Sequence, residues 1–262
     1  EPDRAGSATA IVVDDRPYLF DLGPGVMRRA QAAFELGIVG LALPKLDIAF
    51  VTHLHTDHTL GYADFIFTPW VLDRSAPPRV FGPPGLQAMT DHLLAAYAAD
   101  IHERRTGLEP GNATGYQVTV QEIAAGPVYA DERIAVHAFP VRHGSWPAFG
   151  YRCVTPDRTI VISGDTAPAP DLVEHYAGCD ILVHEVYSAA AFPTRPPAWQ
   201  RYHAAVHTST VELAAIASAV RPDLLVLVHQ LRWGVSEAEL VAEITALYDG
   251  EVVAGRDLMV IE

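Results

Sequence analysis

The sequence predicts a mixed α/β fold in which two sheets are faced by helices, within a single domain spanning residues 1–262. Three observations carry this. Many strand-like runs are mixed with helix-like ones, no clear linker interrupts them, and half of the 262 residues are apolar, enough for a large core. The strand-like runs are TAIVV (9–13), YLFD (18–21), LDIAFVT (46–52), RVFG (79–82), QVTVQEI (117–123), RIAVHAFPV (133–141), FGYRCV (149–154), TIVIS (159–163), DILVHE (180–185) and DLLVLVH (223–229), with two short ones near 251–253 and 258–261. The helix-like runs are 25–36, 57–66, 84–99, 169–177, 209–220 and 236–248. Ser209 with Glu212, and Ser236 with Glu239, have the spacing of capping boxes. Residues 100–116 and 187–206, rich in Pro, Gly, Arg and aromatics, read as long irregular loops, and the second, with Trp199, Tyr202 and His203, suits a substrate wall.

Composition narrows the function. The net charge of −14, from 32 acidic and 18 basic residues, is the wrong sign for a general phosphate-backbone binder. No apolar run reaches the length of a membrane span. Cys153 and Cys179 are far apart and read as buried thiols. The chain begins at Glu1 rather than Met; the expected upstream piece is a signal peptide, a tag or a first strand, and the compartment is open between cytoplasmic and periplasmic or secreted.

The chemistry begins at THLHTDH, residues 52–58, where an apolar strand switches abruptly to ligand-type side chains. In extended chain, residues two apart share a side, so His53, His55 and Asp57 converge, with His58 following as a helix starts. Histidine with carboxylate suits a borderline or hard divalent ion, zinc above all, with manganese or iron as alternatives. The same event recurs: strands lead to His143, to Asp165, to His184 and Glu185, and to His229. So many ligands at strand ends imply two ions. His53, His55 and His143 suit one, Asp57, His58 and His229 the other, and Asp165 a bridge between them. Each ion keeps room for water, the mark of a catalytic rather than a structural site. Asp21 reads equally as a support for a ligand histidine and as a turn former before Gly-Pro-Gly.

HxHxDH, the later lone histidine, SGDT around Asp165 and the last histidine after a strand resemble the metallo-β-lactamase superfamily. FDLGPG (20–25), FGPPG (81–85), VRHG followed by FGY (141–151), LVHE (182–185) and HTSTVELA (207–214) resemble its ribonuclease Z-like branch, which includes arylsulfatase-like members. The resemblance covers most of the chain. It implies a four-layer αββα sandwich and a binuclear zinc hydrolase with a metal-bridging hydroxide as nucleophile. The implied metal ligands are His53, His55, Asp57, His58, His143, Asp165 and His229. Among them Asp57 counts also as a catalytic group. It further implies that Glu185 orients His207, which donates a proton to the leaving oxygen, with His203 as its rival for that role. Homodimers are usual in the branch.

Transfer-RNA processing members with a long arm carry it between FGY and SGDT, where this chain has only residues 152–162. That gap and the acidic charge favour a small ester substrate, a phosphodiester or aryl sulfate, over nucleic acid. The alternatives are a lactone or β-lactam hydrolase, an armless tRNA 3′-end endonuclease, and a metal-dependent binding protein without activity. Tyr62, Phe65, Trp70, Trp146, Trp199, Tyr202 and Trp233 are candidate substrate contacts, and Arg195, Arg201 and Arg232 candidate anion contacts.

Overall fold

The computed structural model describes residues 4–262 as two compact units, one formed by the described part of Glu1–Ile123 with Asp257–Glu262, the other by Ala124–Arg256. Among the described residues, the first unit holds strands β1 (Thr9–Val13), β2 (Arg16–Phe20), β3 (Ile48–Phe50), β4 (Arg79–Gly82) and β5 (Thr119–Glu122) in one sheet, in that order. Only β1–β2 is antiparallel; the rest is parallel. Its helices are α1 (Val26–Glu35), α2 (Thr56–Thr59), α3 (Tyr62–Val71), α4 (Leu86–Ala96) and α5 (Ala98–Thr106). Both faces of its central strands β2, β3 and β4 are buried, as parallel strands require. Leu19, Ala49 and Val80 on one face pack with Met27, Tyr62, Phe65 and Trp70. Phe20, Phe50 and Phe81 stack as a ladder on the other, with centroids 4.9 and 5.0 Å apart.

The second unit holds β6 (Gly126–Ala130), β7 (Ala135–Pro140), β8 (Phe149–Val154), β9 (Thr159–Ile162), β10 (Ile181–Tyr187), β11 (Leu224–Leu231) and β12 (Glu251–Ala254). The order is β12-β11-β10-β9-β8-β7-β6, an antiparallel meander running into a parallel half. Its helices are α6 (Leu172–Tyr176), α7 (Pro197–Val206), α8 (Thr210–Val220) and α9 (Glu237–Thr245). Leu182, Leu213, Leu225, Leu227 and Leu240 centre its core. Both capping boxes form, on α8 and α9. Both cysteines are buried and free. No helix among the described residues is long and apolar enough to cross a membrane.

Several sequence expectations need correction. Run 57–66 is two helices, because the chain breaks at Leu60 and Gly61, and run 84–99 breaks at Tyr97. The supposed loop 100–116 begins as α5, which buries no side chain, so no apolar stripe marks it. The supposed loop 187–206 ends in α7, whose Pro197 stands in the first turn, where a missing N–H costs nothing. Residues 258–261 form no strand, while β6 went unread because it opens on Gly126-Pro127.

One helix repairs itself by a distant side chain. Pro69 inside α3 cannot donate to the Phe65 carbonyl. The buried Arg74 does so instead at 2.9 Å, and also reaches the carbonyls of Leu46 at 2.8 Å, Ile66 at 2.7 Å and Gly115 at 3.0 Å. Burial lowers its guanidinium to about 10, opposed by the charge of Asp47.

Candidate metal centre

In the first unit the ligand-type residues occupy the passage from β3 into α2. His53 and His58 are fully buried, His55 is half-buried and the Asp57 side chain is 53% exposed. His53 Nε2 and His55 Nδ1 face each other at 3.1 Å. Two nitrogens at about 2.05 Å from one tetrahedral zinc stand about 3.3 Å apart, so this pair has the spacing of ligands to one ion. His58 Nε2 lies 3.7 Å from Asp57 Oδ2.

The other ring nitrogens of His53 and His58 are held from behind. Thr52 Oγ1 sits 3.0 Å from His53 Nδ1, and Asp21 Oδ2 accepts from His58 Nδ1 at 2.8 Å. Asp21 also accepts from the Thr52 amide at 2.7 Å and the Thr52 hydroxyl at 3.0 Å. Such outer contacts fix tautomer and ring orientation. Asp21 leaves β2 with φ 63°, a left-handed conformation that Asp tolerates, which turns its carboxylate back onto Thr52 and His58 rather than into its own turn. The glycines of FDLGPG and HTLGY follow from packing: a Cβ on Gly23 would stand 2.6 Å from the Asp57 carbonyl, and one on Gly61 2.4 Å from that of Gly23.

In the second unit, His143, Asp165 and His207 offer ligand atoms within 4.8 Å of one another, as do Glu185, His207 and His229. His143 Nδ1 donates to the Val206 carbonyl at 2.9 Å, which turns Nε2 outward. Asp165 follows β9 after Gly164, whose φ is 61°, and its Oδ2 is 3.4 Å from His229 Nε2 and 3.9 Å from His207 Nδ1. His229 is not at a strand end as its sequence suggests. β11 runs on to Leu231, and the ladder to β10 skips His229, which has φ 41°. This bulge re-aims the side chain, a device that depends on the partner strand.

Glu185 is fully buried. Its Oε1 accepts from the amides of Thr208 at 2.8 Å and Thr166 at 3.3 Å, and Oε2 lies 3.4 Å from His207 Nδ1. Burial pushes its carboxyl well above the usual range, the Asp165 charge adding to this and His229 opposing it. His184, one residue before on β10, points to the other face. It packs edge-on to Tyr176, its Nδ1 donates to the Glu185 carbonyl at 2.6 Å, and burial lowers it to about 4. It joins none of the ligand groups found among the described residues.

The candidate substrate contacts separate sharply. Tyr62, Phe65 and Trp70 are buried in the core of the first unit. Trp146, Trp199 and Tyr202 are exposed, and His203 is buried between Trp199 and Trp233. Thr52, Thr166 and Thr208, which position the charged groups, were missed by sequence reasoning; each directly precedes or follows a ligand-type residue, and nothing else marks them.

A donor set of imidazoles and carboxylates, with ring nitrogens oriented from behind, fits a divalent metal ion. The family described as Beta-lactamase superfamily domain matches residues 16–230. The ribonuclease Z of Mycobacterium marinum (strain ATCC BAA-535 / M) is 31% identical over 268 residues, covering 100% of this chain and 94% of that protein. That of Mycobacterium tuberculosis (strain ATCC 25618 / H37Rv) is 29% identical over 268 residues, covering 100% and 93%. Among solved structures, human tRNase Z, short form, has a TM-score of 0.73 at 23% identity, covering 100% of this chain and 94% of its own. The metallo-beta-lactamase fold protein YhfI from Bacillus subtilis has a TM-score of 0.73 at 16% identity, covering 97% and 90%. This chain belongs to the metallo-β-lactamase superfamily of hydrolases, among its ribonuclease Z-like members.

Proposed function

We propose that residues 1–262 act as one catalytic domain, a metal-dependent phosphodiesterase using two ions, zinc in the first instance, on small anionic esters. His53, His55 and His143 would hold one ion, Asp57, His58 and His229 the second, and Asp165 both. The observation that carries this reading is the facing pair of ring nitrogens on His53 and His55 at 3.1 Å, with Asp21 and Thr52 fixing the neighbouring rings from behind. Bound metal would supply Lewis acidity and a water activated near neutral pH. The chain supplies the rest. Glu185, tied to the Thr166 and Thr208 amides, orients His207, and His207 delivers a proton to the departing oxygen. His203 is held among tryptophans, and its ring centroid lies 5.6 Å from that of His207, which favours His207 as the donor.

A second reading, tRNA 3′-end processing, is favoured by relatives named ribonuclease Z that align along the whole chain. Against it, the segment between β8 and β9 is a tight turn closed by the Thr155 and Arg158 backbones, with no arm. Both readings share phosphodiester cleavage. Zinc-loaded protein is assayed on bis(p-nitrophenyl) phosphate, a 3′-extended tRNA, a lactone and a β-lactam, with chelator-stripped controls. Metal-dependent turnover of the small ester with the tRNA left intact is the expected result. Selective tRNA cleavage establishes the second reading, and activity confined to lactones or β-lactams overturns both.

A further inference from the structure

We propose that α7 and the turn after β11 form a stacking platform beside His207 for the planar aromatic part of an anionic substrate, either an aryl group or a nucleobase. The proposal rests on the hydrolase reading above and names the substrate class of that site. Trp199, His203 and His207 recur every four residues, which puts them along one face of α7 and its exit. The Trp199 indole lies over the His203 ring at 5.6 Å and 24°. His203 is in turn 4.7 Å from Trp233, over which Arg195 places its guanidinium at 5.3 Å. One side of Trp199 is therefore held, while 51% of the residue stays in water. Tyr202, 41% exposed, stands edge-on to both Trp199 and His207 at 5.7 and 6.2 Å.

Two large half-wet aromatics, Tyr202 at 6.2 Å from His207 and Trp199 beyond His203 on the same face, are a poor use of apolar surface unless something covers them. The buried core of the same cluster carries an independent sign. His203 is only 7% exposed, yet its Nδ1 has no hydrogen-bond partner among the described residues. A buried polar atom left in that state is uncommon in a finished structure. Arg195 adds the positive charge that an anionic ester beside the ring requires in an otherwise acidic chain. Aromatic faces take any planar ring, so the platform selects for aromaticity rather than for one base.

The test is calorimetric binding of phenylphosphonate and methylphosphonate, neither of them an ester, to zinc-loaded protein. Adenosine 5′-monophosphate and ribose 5-phosphate form a second pair. The wild type is expected to favour the aromatic member of at least one pair by about tenfold or more. Trp199→Ala should bring that preference to within about twofold, and Trp199→Phe should keep most of it. Which pair shows the effect tells an aryl group from a nucleobase. A preference that Trp199→Ala leaves unchanged, or no preference in either pair, overturns the platform. Wild-type turnover of bis(p-nitrophenyl) phosphate is scored separately. Absent turnover with a Trp199-dependent preference sinks the hydrolase reading and leaves the platform standing; turnover with no such preference does the reverse.

Discussion

Asp21→Asn separates the chemistry of the carboxylate from its place in a turn. Asn tolerates the left-handed backbone as Asp does, whereas Ala at φ 63° adds roughly 1–2 kcal/mol of backbone cost. The carboxylate makes three contacts, to the Thr52 amide, the Thr52 hydroxyl and His58 Nδ1. Hydrogen bonds to a charged group contribute about 1.5–3 kcal/mol each, so Asp21→Ala should cost on the order of 3–5 kcal/mol once the surroundings relax. In Asp21→Asn the carbonyl keeps the Thr52 amide, and the NH2 group takes the place of Oδ2. That NH2 donates where Oδ2 accepted, so His58 Nδ1 must accept and the ring proton moves to Nε2, the nitrogen on the Asp57 side. A ligand nitrogen cannot keep a proton. Metal affinity should fall about 10- to 100-fold, while stability of the metal-free protein changes by no more than about 2 kcal/mol. Competition against a zinc-binding dye gives the affinity, and urea unfolding of chelator-stripped protein gives the stability. Wild-type zinc affinity in Asp21→Asn would refute the reasoning and return Asp21 to the role of a turn former.

Three further outcomes are expected. Arg74→Met leaves four buried carbonyls, that of Phe65 opposite Pro69 among them, without their donor, and should cost on the order of 3–5 kcal/mol in urea unfolding, part of it recovered by Arg74→Lys. His207→Ala should retain full metal content by emission spectrometry and turn over about 10²–10⁴-fold more slowly, with the smaller loss on p-nitrophenyl esters, whose leaving group needs no proton. His184 is held at about 4 against an ordinary 6.5, so the unfolded chain binds its proton first as pH falls. It therefore contributes no penalty above pH 6.5, and removes about 1.4 kcal/mol of stability per pH unit down to about pH 4, roughly 3 kcal/mol in all. Metal-free His184→Asn should show a correspondingly flatter acid limb; an identical limb in both proteins would contradict this.

The candidate site stood out in the sequence because ligand-type residues cluster where strand-like runs end. IAFV giving way to THLHTDH needs no partner to be recognised, since no apolar core would accept that switch. Asp21 was visible only as one of two readings. Choosing between them takes the carboxylate's direction, which depends on β2 and β3 lying side by side. The His229 bulge is a property of two strands together, and one strand's sequence holds no trace of it. α7 was hidden by its own start signal: Pro193, Pro196 and Pro197 read as loop, although a proline in the first turn is compatible with a helix. α5 offered the opposite problem, a helix with polar residues on every side. The aromatic residues near the motifs looked alike in sequence. Burial alone divides Tyr62, Phe65 and Trp70, which fill a core, from Trp199 and Tyr202, which do not.

The central claim is that the ligand set serves a two-metal hydrolytic site, and counting metal against activity tests it most directly. Chelator-stripped protein is titrated with zinc while bound metal and hydrolysis of bis(p-nitrophenyl) phosphate are followed in the same samples. The account predicts two zinc ions per chain and activity that reaches its plateau only as the second site fills, with Asp165→Ala losing both. A plateau of binding below one ion per chain, or turnover unaffected by removal of the metal, would contradict it.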